Sequence, residues 1–156
     1  MALSKARQTA SLRTRARRFA MQALYQWDMS GNTLADIEIH FREDEDFSKV
    51  DGDYFHEILH TVPTRIDEID AYYEPHLDRA VDRLDPVERA LLRMATYELE
   101  KRIDIPYRVV LNESVNLAKK YGADQAHKYI NGVLDKVARQ LRPIEHPEAS
   151  KKPDHL

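Results

Sequence analysis

An all-helical fold is what this sequence predicts, on three observations. Glycine is scarce, with four residues in 156. Apolar side chains recur at steps of three and four along nearly the whole chain, the spacing that gathers them on one face of an α-helix. No run of four or more residues alternates apolar and polar cleanly enough to make a half-buried strand.

The elements follow in order. The first helix is expected from about Leu12 to Met29, with Ala16, Ala20, Ala23, Leu24 and Trp27 as its apolar stripe and Arg15, Arg18, Gln22, Tyr25 and Gln26 turned away from it. Gly31 in "SGN" suits the left-handed position that ends a helix. A short helix carrying Leu34, Ile37 and Phe41 comes next, and the acidic "REDEDFSKVDGD" reads as a loop. Asp51 or Asp53 then caps a longer segment holding Phe55, Ile58, Leu59, Val62, Ile66, Ile69 and Tyr73. Pro63 lies inside it, but the apolar phase carries through, so the reading is one kinked helix, with two helices as the second choice. "PHLDRAVDRL" predicts a further short helix through Leu77, Val81 and Leu84. "DPVE" is a clear start signal: Asp85 as N-cap, Pro86 in the first helical position, and Glu88 placed to complete a capping box. Pro106 restarts the chain for a helix that reaches Gly122, and Asp124 is expected to cap the last one, with Ala126, Ile130, Val133, Leu134, Val137 and Leu141 in phase. Past Pro143 the apolar content is too low to pack, so residues 144–156 read as a disordered tail.

Composition narrows the class. The length fits one domain. Cysteine is absent, which excludes disulfides and thiolate metal sites. No apolar run approaches the ~18 residues that span a bilayer, and "MALSKARQTASLRTR" has no apolar block behind its charges, so it does not read as a secretory signal. The expected location is the cytoplasm. A net charge of −3 conceals a division: residues 1–18 hold six basic side chains and no acid, leaving 18 basic against 27 acidic residues elsewhere. This pattern suggests a basic arm on an acidic body, with a polyanion as the arm's partner.

Arg13, Arg15, Arg17 and Arg18 carry that charge at the start of the first helix. Guanidinium groups offer permanent charge, a planar fork that fits phosphate oxygens, and a face that stacks on bases. The Ser, Thr and Ala upstream make residues 1–11 a flexible arm able to order on RNA. A second anion site is suggested by "YGADQAHKY", where a helix N-terminus lies beside Lys128, Tyr121 and Tyr129. Tyr129 reads equally as an ordinary half-buried ring and Lys128 as a solvated lysine, and the spacing leaves both readings open.

One enzyme-like pattern stands apart. "HEILH" matches H-E-x-x-H, so on a helix His56 and His60 would share a face to hold zinc, with Glu57 able to activate water. A third ligand is required. Ile66 occupies the place of the third histidine in the extended motif, Pro63 disturbs the helix, and nothing selects among Glu74, His76 and Asp78. The preferred reading has the two histidines flanking a core stripe, with no metal and no cofactor. Gly-rich phosphate loops, G-x-S-x-G and thiol nucleophiles are all missing.

Four segments in order, "RTRARRFAMQALYQW", "VERALLRMATYELEKR", "IPYRVVLNESVNLAKKYG" and "HKYINGVLDKVA", resemble the NusB family of bacterial transcription antitermination factors. The resemblance covers about residues 12–143. It implies an all-α protein of about seven helices in two packed helical subdomains, without enzymatic activity. It also implies binding of the boxA element of ribosomal RNA leader transcripts together with a small-subunit ribosomal protein, NusE, in a complex that keeps RNA polymerase from terminating early. The arginine-rich segment of the family matches Arg13, Arg15, Arg17 and Arg18, and a functional first-helix tyrosine matches Tyr25. A further RNA-facing region matches the stretch of Tyr121, Gln125, Lys128 and Tyr129. The surface for the ribosomal protein is similar to the helix carrying Glu88, which is equally the capping residue argued above. NusB-like modules are also attached to some RNA methyltransferases, and the resemblance is expected to point instead to the stand-alone factor. Its apolar helical surfaces either close a homodimer or pack internally, and periodicity leaves both open.

Overall fold

The structure, a computed structural model, describes the backbone of residues 2–147 and the side chains of residues 5–147. Among these residues there are seven α-helices and no strand. Two compact units divide the chain, one ending at Arg65 and the other beginning at Ile66.

The first unit contains α1 (Ala2–Ser30), α2 (Leu34–Arg42), a 3₁₀ turn (Glu45–Lys49) and α3 (Gly52–Thr61). Helix α1 begins ten residues before the expected start at Leu12, so the segment read as a flexible arm is helical from Ala2 onward. Ala6, Arg7, Gln8 and Ala10 are good helix formers with no glycine or proline among them. Ala16, Ala20, Ala23 and Leu24 are buried, as their spacing predicts, and α1 packs on α3 and α2. The small alanines let α3 come close, and a chain of rings (Phe19, Phe41, Phe47, Phe55) fills the rest, with centroids 5.4–6.1 Å apart. Gly31 has φ +73°, the left-handed conformation anticipated for the end of α1. The Asp51 carboxylate accepts the Tyr54 N–H and starts α3.

Pro63 ends α3 and does not kink it. A 3₁₀ turn (Pro63–Arg65) follows, and α4 (Ile66–Tyr73) is a separate helix in the second unit. Pro63 removes the N–H that continuation of α3 needs. "PHLDRAVDRL" forms no α-helix either; it gives two 3₁₀ turns, Glu74–His76 and Val81–Arg83. With prolines on both sides, the segment is too short to nucleate one.

The second unit continues with α5 (Pro86–Lys101), α6 (Tyr107–Tyr121) and α7 (Ala126–Leu141). Asp85 accepts the N–H groups of Val87 and Glu88, as the start signal requires. Helix α5 is buried continuously from Glu88 to Leu99. Arg93 holds Asp70 of α4 through two 3.0 Å bonds, and the Tyr73 hydroxyl donates to the same carboxylate. Gly122 ends α6, where a Cβ would lie 2.7 Å from the Ala118 carbonyl. Asp124 does not cap α7. The N-cap is Gln125, in the left-handed region at φ 67°, with no side-chain capping bond.

The expected boundary at 143 is too early. Buried Arg142 donates to the carbonyls of Leu99 (2.7 Å), Arg102 (2.9 Å) and Glu98 (3.2 Å), satisfying groups left open at the end of α5, and to that of Ile105 (2.9 Å) in the connection to α6. Glu145 pairs with Arg142 and accepts the Tyr107 N–H at the start of α6. His146, only 2% exposed, bonds Asp135 of α7 at 2.8 Å. The remainder of the expected tail, residues 148–156, lies outside the described residues.

Candidate nucleic-acid interface

The arginine-rich segment lies in the interior of α1, not at its N-terminus, so the helix-end N–H groups expected to help there are absent. At 100° per residue the four arginines separate into two pairs. Arg13 and Arg17 turn inward over Tyr54 of α3, with guanidinium carbons 4.7 and 5.6 Å from the ring centre. Arg17 is 2% exposed, which fits a packing role and removes it from reach of a phosphate. Arg13 is half-buried. Arg15 and Arg18 point elsewhere and stay partly exposed. Arg15 reaches the Lys49 carbonyl at 3.5 Å, and Arg18 lies over the Phe19 ring at 5.2 Å. Two turns along the helix, Tyr25 is 38% exposed.

The second unit brings a separate set together around the start of α7. Lys128 and Gln125 are exposed, and Tyr121 is half-buried with Lys120 over its ring. Tyr129 is not a free stacking platform. Its hydroxyl donates to Asp78 Oδ1 (2.9 Å) and accepts the Asp78 N–H (3.2 Å), while Arg79 covers its ring at 4.9 Å. Hydrogen bonds from Arg79 and from the Tyr129 hydroxyl hold the Asp78 carboxyl down to about 2. Burial and the adjacent carboxylate raise the Tyr129 phenol above its ordinary value. Sequence reading gave Tyr129 neither partner, because Asp78 and Arg79 stand some fifty positions away in a stretch whose apolar spacing predicts a helix and whose chain forms none. The neighbouring Asp-Arg pair was the only local signal.

Glu88 is 7% exposed in the first turn of α5. Burial, and after it the Asp85 carboxylate, raises its pKa, while the Asp85 backbone amide acts in the other direction. These surroundings are those of a capping box. "HEILH" lies on α3, with the His56 and His60 rings stacked 4.2 Å apart. Glu74, His76 and Asp78, the further ligands considered, belong to the second unit, and Asp78 is engaged by Arg79 and Tyr129. The carboxylate that meets both histidines is instead Glu38 of α2.

The model of the NusB family matches residues 14–139. This chain belongs to the NusB family. A transcription antitermination protein NusB of Teredinibacter turnerae is 57% identical over 138 residues, covering 88% of this chain and 94% of its own. That of Saccharophagus degradans is 58% identical over 138 residues, covering 88% and 92%. Among solved structures, T. maritima NusB matches with a TM-score of 0.69 at 28% identity, over 86% of this chain and 93% of that one. A structure of antitermination factors NusB and NusE in complex with double-stranded RNA matches with a TM-score of 0.69 at 31% identity, over 81% and 96%. NusB-family proteins are RNA-binding antitermination factors and not enzymes, which retires the hydrolase reading of "HEILH". Among the described residues, no helix is long and apolar enough to cross a membrane.

Proposed function

We propose that this chain is a cytoplasmic transcription antitermination factor that binds the boxA RNA of ribosomal RNA leader transcripts together with NusE, in a complex that keeps RNA polymerase from terminating early. The observation that carries the reading is family membership, joined to a related NusB solved with NusE and RNA. Physical support comes from Arg15 and Arg18, which keep partly exposed cations on α1, and from exposed Lys128 and Gln125 at α7. Arg15, Arg18 and Lys128 take phosphates; Tyr25, Tyr121 and Gln125 contact sugar or base. Arg13 and Arg17 hold α1 against Tyr54 and so set where their neighbours point. Glu88 starts α5, and the acidic exterior draws in a basic ribosomal protein through complementary fields.

The test is a filter-binding titration of boxA RNA against a scrambled RNA, with and without NusE. Preferential binding of boxA, strengthened by NusE, is expected. Equal binding of the scrambled RNA under both conditions overturns the specific function.

A further inference from the structure

We infer that Glu38, His56 and His60 form a binding site for a divalent transition-metal ion, with zinc as the natural probe. Glu38 Oε1 lies 3.0 Å from His56 Nδ1 and 2.6 Å from His60 Nε2, and the three ligand atoms all fall within 4.8 Å of one another. Zinc bonds of about 2.0–2.1 Å in a tetrahedron separate neighbouring ligands by about 3.3 Å. Opening each carboxylate–imidazole pair by less than about 1 Å, with the two imidazole nitrogens brought to the same spacing, therefore seats the ion.

The surroundings orient the carboxylate as a metal ligand requires. Arg42 Nε holds Oε2 of the same carboxylate at 2.7 Å, which orients Oε1 between the two imidazoles, as a supporting partner of a metal ligand does. Both rings already turn a nitrogen to this one carboxylate, His60 Nε2 to Oε1 and His56 Nδ1 to Oε1 (3.0 Å) and Oε2 (3.1 Å); a metal replaces the ring protons there and uses the ring lone pairs directly. His60 lies in the last turn of α3, where the helix dipole favours positive charge. Both histidines keep partial exposure, so an ion has access, and the fourth position is left to water. Two nitrogens and one carboxylate select zinc, nickel or copper over magnesium or calcium.

The ion clamps α2 to α3, two of the helices against which the arginine-bearing α1 packs. Its role is to stabilise the first unit by mass action, with no hydrolysis involved.

Untagged full-length protein, stripped with chelator, is titrated with zinc by calorimetry. The long-range ¹H–¹⁵N spectrum of its histidine rings is recorded before and after. One saturable equivalent is expected, with a rise in Tm and shifts at His56 Nδ1 and His60 Nε2. Glu38→Gln and His60→Gln should each weaken binding at least tenfold. Absence of saturable binding overturns the site, as does binding whose ring shifts fall on any of the other five histidines. The ring spectrum is read on the unaltered chain, so it decides the site even where a variant fails to fold.

Discussion

At the level of single side chains, four arginines in six positions do two different jobs. Arg17 is enclosed over the buried Tyr54 ring, whereas Arg15 and Arg18 sit partly in water on other sides of the same helix. Arg17→Ala removes packing and a ring contact from the first unit and is expected to cost about 1–3 kcal/mol of stability in a urea titration. Arg15→Ala with Arg18→Ala should leave the urea midpoint nearly unmoved and lower the slope of log K against log salt for RNA by roughly one to two. An unchanged slope removes these side chains from the interface. Asp78 gives a pH prediction of definite sign. Its pKa in the fold, about 2, lies below the ordinary 3.8, so its contribution to stability is complete above that ordinary value and fades as pH falls toward 2. Asp78→Asn should therefore make acid unfolding less steep in this window, read by circular dichroism. The inward turn of Arg17 is written in its phase, three positions before Ala20 and seven before Leu24, but residue type alone argues for an exposed arginine. Its long stem and flat head nevertheless pack well on a tyrosine. Glu38 escaped for another reason: no spacing rule links a carboxylate on α2 with histidines 18 and 22 positions later.

Helix ends were legible where a side chain or a glycine supplies the cap, and illegible where distant chain does. Asp85-Pro86, Gly31 and Gly122 act through local chemistry and are found where the sequence puts them. The end of α5 is instead satisfied by Arg142, more than forty positions away, and the start of α6 by Glu145, neither of which any local signal announces. Asp124 looked like a cap by type, but the turn into α7 is made by the left-handed backbone of Gln125. That conformation costs a non-glycine residue about 1–2 kcal/mol, partly offset by glycine's greater chain entropy. Gln125→Gly should accordingly raise stability by about 0.5–1 kcal/mol. If Gln125 contacts RNA, the same variant binds less tightly in the filter assay even though it folds better. Glu88 tests the other helix start. Its pKa is raised, so the folded state binds protons more readily than the unfolded one and stability falls as pH climbs through that range. Glu88→Gln keeps the capping geometry without the charge. It should flatten this pH dependence, raise Tm at neutral pH, and leave NusE binding unchanged; weaker binding would mark Glu88 as a partner contact.

On the scale of the whole chain, charge and packing are divided along the sequence in a way that separates holding the fold together from meeting a polyanion. The acidic excess lies beyond residue 18, while Lys5 and Arg7 stand on the first turns of α1, where residues 5–10 are all exposed. Among the described residues, tertiary bonding of α1 starts later: the Asp51 N–H reaches the Leu12 carbonyl, and the buried stripe begins at Ala16. Helical structure without a buried face draws little stability from packing, which is where most helical stability in proteins arises. Deleting residues 1–11 should thus change stability in a urea titration by no more than about 0.5 kcal/mol, the range of surface changes. The same deletion removes two cations and no acid, so RNA affinity should drop at low salt and converge with that of the full chain as salt rises, with the slope lower by roughly one to two. Because screening acts on charge and not on base reading, the preference for boxA over scrambled RNA should survive the deletion. A truncated protein that loses that preference while keeping its salt slope would place sequence discrimination, rather than phosphate attraction, in the first eleven residues.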